Sequence, residues 1–228
     1  MAETAPQPPF DTFVFDLDGT LLDTLDDLVT LTNDVLAEAG MPPRSRREIN
    51  SYVGNGALAL IRQAVPDGTP DNVADQVHRR WIEAYDRYPN DLTRPYEGVA
   101  DMLAALRERG CKLGILSNKF DGGVQFIVKK CLDGMMDVAH GEGGPLNLPR
   151  KPDPAGLLTV MEELGSAPER TVYVGDSPGD IHVARNAGCY AVGVSWGYHD
   201  PDDFGAEGWP PDLLATAPDQ IVGLAAHD

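Results

Sequence analysis

The stretch Asp11-Thr12-Phe13-Val14-Phe15-Asp16-Leu17-Asp18-Gly19-Thr20 decides how this chain is read. Residues 11–17 are rich in Phe and Val and predict a short buried strand, and 18–20 turn off it as a loop. In an extended chain residues i and i+2 face the same side, so Asp16 and Asp18 point together into the space beyond the strand. Gly19 permits a sharp turn, and N–H groups freed there can cradle an anion.

Similar short apolar runs recur at 111–117, 136–141, 171–176 and 189–196. Each fits a fully buried parallel strand better than an alternating, half-exposed one. Helical patterns lie between them at 98–110, 154–165 and 178–188, with Gly110 and Gly165 as expected C-caps. Strands alternating with helices predict βαβ units, so the fold class is α/β with a Rossmann-like parallel-sheet core. In such sheets ligands bind at the C-terminal strand ends.

One spacing breaks the pattern. Asp18 and Ser117 are 99 residues apart, whereas a βαβ unit takes roughly 30 or somewhat more. The surplus reads as helices at 26–40, 57–65 and 71–88, the last with Val73, Val77, Trp81 and Tyr85 on one stripe, and it shows no strand pattern. The expected organisation is a core at 10–22 and 94–228, an α-helical cap inserted at 23–93, and a flexible tail at 1–9. A length of 228 residues suits one core domain with an insertion better than two full domains.

Charge narrows the partners. With 36 acidic against 18 basic residues, the net charge is −18, which disfavours nucleic acid and anionic membrane surfaces. An anionic substrate would need a local cation to offset that field. Cys111, Cys131 and Cys189 form no C-x-x-C pair, and the five histidines show no metal-ligand spacing. No apolar run approaches the roughly 18 residues of a bilayer span, and the polar, Pro-rich start is unlike a signal peptide. A cytoplasmic protein is expected, monomeric or homodimeric.

A second acidic pair, Asp176 and Asp180, stands in Gly175-Asp176-Ser177-Pro178-Gly179-Asp180, again after a strand. Like charges about 4 Å apart cost about 4 kcal/mol per pair at an effective dielectric near 20, so converging carboxylates require a cation. Hard oxygen ligands beside a phosphate suit Mg²⁺. Ser117-Asn118 ends another strand with a hydroxyl and an uncharged amide. Lys151, one of only five lysines, sits in the Pro-flanked run Arg150-Lys151-Pro152-Asp153-Pro154, where a fixed ammonium would hold a phosphate and neutralise a carboxylate. Each motif alone has an ordinary reading: Asp-Gly makes turns, and Gly-Asp or Ser-Asn caps helices. Their ordered combination, each at a strand end or loop, does not.

That combination resembles the haloacid dehalogenase (HAD) superfamily. Phe15–Thr24, Val53-Gly54-Asn55-Gly56, Pro95-Tyr96-Glu97-Gly98-Val99 and Val194-Ser195-Trp196-Gly197-Tyr198 resemble its phosphoglycolate phosphatase-like members with a helical cap. The resemblance implies an Mg²⁺-dependent phosphatase acting on a small phosphomonoester, phosphoglycolate first. Asp16 would attack phosphorus and form an aspartyl-phosphate. Asp18 would protonate the leaving alcohol and then activate water. Ser117 and Asn118 would bind the transferred phosphoryl group, with Gly19, Thr20 and Lys119 beside it, and Lys151 would hold Asp16 and the phosphate. Mg²⁺ would take the Asp16 side chain, the Asp18 backbone carbonyl and Asp176, with Asp180 on the ion or behind it. Gly54, Asn55 and Gly56 would place backbone N–H groups over the substrate.

Asp18 argues against dehalogenase chemistry, and the lack of any lysine in 22–94 argues against a Schiff-base phosphonate lyase. Alternatives within the resemblance are phosphatases of sugar phosphates, nucleotides or pyrophosphate, and a beta-phosphoglucomutase-like phosphotransferase. A binding protein on the same fold would show a damaged catalytic set, and this one is intact. Arg44, Arg46 and Arg47 read as a solvated face and Trp81 and Tyr85 as cap core. Trp196 and Tyr198 read as sheet-edge packing, and the Gly-rich run 141–145 as a mobile loop near the site.

Overall fold

Strand β1 (Thr12–Phe15) is buried at all four residues and lies in the middle of a six-stranded parallel sheet. On one side it pairs with β4 (Lys112–Phe120), which pairs with β5 (Val138–Glu142). On the other it pairs with β6 (Thr171–Gly175), followed by β7 (Tyr190–Val194) and β8 (Leu213–Ala215). The computed structural model describes residues 10–205 and 208–226; the predicted tail at 1–9, His227 and part of the acidic run 200–207 lie outside them. Phe15 stands opposite Ile115 and Val174, so this register brings the residues after all three strands to one edge. From β1 the chain builds outward through β4 and β5, then crosses to β6, β7 and β8 on the other side of β1, and this reversal opens the crevice where α/β sheets bind ligands.

Helices cover both faces. Phe13 and Phe15 pack with Leu103, Leu113, Ile115, Val172 and Val174 on one face. Val14 packs with Leu116, Leu157, Tyr173 and Ala184 on the other. Successive strand residues are therefore all buried, which is why the strands read as unbroken apolar runs. The covering helices are α5 (Val99–Glu108), α6 (Asp121–Cys131), α7 (Ala155–Glu163), α8 (Pro178–Ala187) and the short α9 (Asp219–Val222). The pattern did not predict α6, which opens Asp121-Gly122-Gly123 with poor helix formers; the burial of Val124 and Ile127 against the sheet stabilises it. β8 spans three residues, too few for a periodic signal.

The insertion is all helical: α1 (Leu25–Glu38), α2 (Arg46–Tyr52), α3 (Gly56–Ala64) and α4 (Asp71–Tyr85). It has its own core of Leu31, Leu36, Ile49, Ile61, Val77 and Trp81. The buried stripe of α4 is Ala74, Val77, Trp81 and Tyr85, whereas Val73 is half-buried. Trp81 Nε1 donates to Thr32 Oγ1 at 3.1 Å, which satisfies its one polar atom. α2 is held by a Ser45–Glu48 capping box, a signal the apolar periodicity overlooks. The two connections to the core run side by side as β2 (Leu22–Asp23) and β3 (Arg94–Pro95), an antiparallel pair where no strand was expected. Buried Asp27 ties them further, its Oδ2 accepting from Leu92 N, Thr93 N and Thr93 Oγ1 at 3.0, 2.7 and 2.7 Å. Of the arginine cluster, Arg44 donates to the Ala64 and Val65 carbonyls that end α3, and Arg46 pairs with Asp26. No helix among the described residues is long and apolar enough to cross a membrane.

Candidate active site

Asp16 follows β1 directly, and its N–H donates to Val174 O at 2.8 Å, which fixes where its side chain starts. Asp16 Oδ1 lies 3.0 Å from Lys151 Nζ, buried and with no hydrogen-bond partner in line. Burial raises its carboxyl to about 7, against the pull of Lys151 and with a further push from Asp180 and Asp176.

Lys151 is held from several directions. Its N–H donates to Asn118 Oδ1 at 2.8 Å, and its ammonium donates to Asp180 Oδ1 at 2.6 Å and Tyr173 Oη at 3.1 Å. Burial works against this charge, but Asp16 and Asp180 outweigh it and keep Lys151 protonated. Asp180 is fully buried in the first turn of α8, and its Oδ2 accepts from Ser177 N and Oγ at 2.9 and 2.6 Å. Both its oxygens are thus engaged in fixing Lys151 and the loop.

Asp176 faces Asp16 from the end of β6. Its Oδ1 accepts from Thr20 Oγ1 at 3.1 Å and its Oδ2 from Tyr198 N at 2.8 Å. Gly19 and Gly197 press against it so closely that neither could carry a Cβ. Asp16, Asp176 and Asp180 each bring one oxygen within 4.8 Å of the others, all buried. Three carboxylates against one ammonium, with Asp16 Oδ1 unpartnered, are the donor set a hard divalent cation would satisfy. Asp18 stands outside this cluster: its carboxylate accepts from Thr24 Oγ1 at 2.7 Å and from Lys119 Nζ at 3.2 Å.

Ser117 and Asn118 are both buried at the end of the crevice. Asn118 Nδ2 donates to the Gly54 carbonyl at 2.8 Å. With Lys151 N on its oxygen, the Asn118 amide joins the insertion to the Lys151 loop, and the Gly54 carbonyl takes one of the two N–H groups on Nδ2. A cavity lined by Asp16, Asp18, Ser117 and Lys119 on the core side, and by Leu28, Val53, Gly54, Gly56, Leu60 and Trp81 on the insertion side, leaves about 40 Å³ for the centres of water-sized molecules. Phe120 stacks edge-on against Tyr85 and Trp81, at 5.1 and 6.2 Å, and closes one wall. Asn55 departs from the expectation: it is exposed, lies outside the cavity lining, and its carbonyl accepts from Arg150. Gly19 and Thr20 serve Asp176 and likewise do not line the cavity.

Trp196 packs against the sheet core, whereas Tyr198 packs against the insertion instead. Trp196 Nε1 donates to Thr20 O at 3.0 Å, and Tyr198 Oη accepts from Thr24 N at 2.7 Å where the insertion begins. Asn50 Nδ2 in α2 donates to Tyr198 O at 3.1 Å. His199 Nδ1 stands 3.6 Å from Asp176 Oδ2. Tyr173, Thr24 and Tyr198 carried no sequence signal for these contacts, because their partners lie 22, 6 and 174 residues away.

A parallel sheet with carboxylates and a buried lysine at its C-terminal edge, under a four-helix insertion, defines an α/β hydrolase of phosphate monoesters. The model of the haloacid dehalogenase-like hydrolase family matches residues 13–194, and the chain belongs to that family. It is 35% identical over 226 residues to a phosphoglycolate phosphatase of Pseudomonas putida, covering 94% of this chain and 82% of that protein. It is 30% identical over 212 residues to an N-acetylmuramic acid 6-phosphate phosphatase of Pseudomonas aeruginosa, covering 92% of each. Among solved structures, a predicted phosphoglycolate phosphatase from Haemophilus somnus superposes with a TM-score of 0.81 at 27% identity, over 94% of this chain and 97% of that one.

Proposed function

We propose that this protein is an Mg²⁺-dependent phosphatase of a small phosphomonoester, phosphoglycolate foremost, and that Asp16 is its nucleophile. The observation that carries this reading is Asp16 Oδ1, buried, unpartnered and 3.0 Å from the Lys151 ammonium, in the carboxylate of a residue that lines the cleft between core and insertion.

In the proposed reaction an Asp16 carboxylate oxygen bonds to phosphorus as the phosphorus–ester oxygen bond breaks, and Asp18 gives its proton to the departing alcohol. Asp18 then takes a proton from water, whose oxygen bonds to phosphorus; phosphate leaves and Asp16 is restored. Lys151 pulls Asp16 toward its ionised form and balances the phosphoryl charge, and Ser117 lies beside that group. Asp16 and Asp176 would hold the metal with the Asp18 carbonyl, while Asp180 fixes Lys151. When bound, Mg²⁺ supplies charge neutralisation and orients the phosphoryl oxygens. Residues 23–93 act as the cap, which excludes bulk water from the aspartyl-phosphate.

The 35% identity to a phosphoglycolate phosphatase over 94% of this chain supports a small ester as the first substrate to try. The test is phosphate release from phosphoglycolate, N-acetylmuramic acid 6-phosphate, hexose phosphates, nucleoside monophosphates and pyrophosphate, with and without Mg²⁺, beside Asp16→Asn. Release that needs both Mg²⁺ and Asp16, fastest from phosphoglycolate, is expected. Release unaffected by Asp16→Asn would overturn the reading.

A further inference from the structure

The proposed chemistry makes no use of the Gly-rich run 141–145 or of Arg150. Neither Glu142 nor Arg150 lines the cavity, yet both reach the cap. Arg150 Nη1 donates to the Asn55 carbonyl at 2.5 Å, and Arg150 Nε pairs with Glu142 Oε1 at 3.2 Å. One residue earlier, the Gly54 carbonyl accepts from Asn118 Nδ2. Two consecutive carbonyls of the cap loop are thus each taken by a core donor, and Gly54 and Gly56 of that loop line the cavity opposite Asp16.

The Gly-rich run is shaped to deliver Glu142 to this place. Gly141 N donates to Asp121 Oδ1 at 2.9 Å, and Gly141 packs so tightly on the Lys119 carbonyl and Asp121 backbone that no Cβ fits. Gly143 and Leu148 exchange backbone hydrogen bonds of 2.8 and 3.0 Å, which close the run into a loop. Gly56 has φ +80, and a Cβ there would lie 2.7 Å from Glu142 Oε2 and 3.1 Å from the Asn118 carbonyl. Core and cap loop are complementary only with glycine at this position.

We infer that Arg150, oriented by Glu142, is a positioning residue that latches the cap loop 54–56 over the phosphate site and so limits the size of the ester accepted. The inference rests on the phosphatase reading. An exposed ion pair adds little stability by itself. Its value here is geometric: one edge of the guanidinium takes Glu142 while another nitrogen takes the Asn55 carbonyl, which a lysine ammonium cannot reproduce.

The test compares wild type with Arg150→Ala, Arg150→Lys and Glu142→Gln. It follows kcat and KM for phosphoglycolate and for the bulkier p-nitrophenyl phosphate, with the melting temperature and amide hydrogen exchange. For Arg150→Ala, KM for phosphoglycolate is expected to rise about tenfold with kcat changed less than about threefold. Its preference for phosphoglycolate over the aryl ester should fall about tenfold, with the melting temperature unchanged and amides 54–57 exchanging faster. Glu142→Gln should move the same way by less, and Arg150→Lys should resemble Arg150→Ala. An unchanged preference in Arg150→Ala, or wild-type behaviour in Arg150→Lys, overturns the latch. If wild type cleaves no ester, the phosphatase reading fails on its own, and hydrogen exchange still decides the latch: equal protection of 54–57 in wild type and Arg150→Ala refutes it.

Discussion

The Lys119 ammonium lies 3.2 Å from both carboxylate oxygens of Asp18 and 4.9 Å from the centre of the Tyr85 ring. The two residues are 101 positions apart and meet where core and cap touch. Lys119 therefore pins Asp18 to a strand of the core from one side, while Thr24, where the insertion begins, holds it from the other. Both bonds fix the direction of the carboxylate that the proposed reaction uses as its acid–base group.

Removing that pin should slow the reaction without ending it. Asp18→Asn is expected to lower kcat by about 10²–10⁴, the usual worth of a positioned acid–base group. Lys119→Met should lower it by less, about tenfold, because the carboxylate remains but is held only by Thr24. Steady-state kinetics on both variants check the order, and a Lys119→Met loss equal to or greater than that of Asp18→Asn would contradict it.

Lys151 bears on stability as well as rate. It is the one buried ammonium beside Asp16 and Asp180, and breaking a buried pair costs roughly 3–5 kcal/mol because a charge is left unpaired. Lys151→Ala should abolish phosphate release and lower the urea midpoint strongly in chelator. Mg²⁺ should restore part of the stability and none of the activity.

Asp16 should behave oppositely in metal-free protein. Its native carboxyl titrates near 7 against 3.8 in the ordinary state, so between those values the native form binds the extra proton. Stability then falls as pH rises through that window and levels off above it. Asp16→Asn lacks this loss, so in chelator its melting temperature should exceed that of wild type by several degrees at pH 8 and by little at pH 5. Thermal scans across pH decide it; an advantage that shrinks with rising pH would be the wrong sign.

Gly19 tests the metal directly. It has φ +86, and a side chain there would collide with the Asp176 carboxylate. Gly19→Ala should weaken Mg²⁺ binding at least tenfold by calorimetry, since a displaced ligand loses its geometry. The chain should remain folded by circular dichroism.

Much of this was legible in the sequence. The strands after which Asp16, Ser117 and Asp176 stand read as apolar runs because both sheet faces are covered, and the excess length between Asp18 and Ser117 marked the helical insertion. What escaped was of two kinds. α6 has two glycines in its first turn and β8 is three residues long, so neither has a local pattern strong enough to detect. Trp196, Tyr198, Arg150 and Glu142 act through partners far along the chain, and nothing in their neighbours separates a surface residue from one that grips the cap.

The class of fold, the family and the residues available for chemistry follow from local periodicity and from short motifs at strand ends, so the order of amino acids suffices to read them. What each residue holds emerges only once the chain is packed. Packing placed Asp180 on Lys151, Asn118 on the Gly54 carbonyl and Lys119 on Asp18, and it left one Asp16 oxygen bare. The physical reason is that register and packing set which charges share a buried space, and a buried charge must find a partner there whatever its distance along the chain.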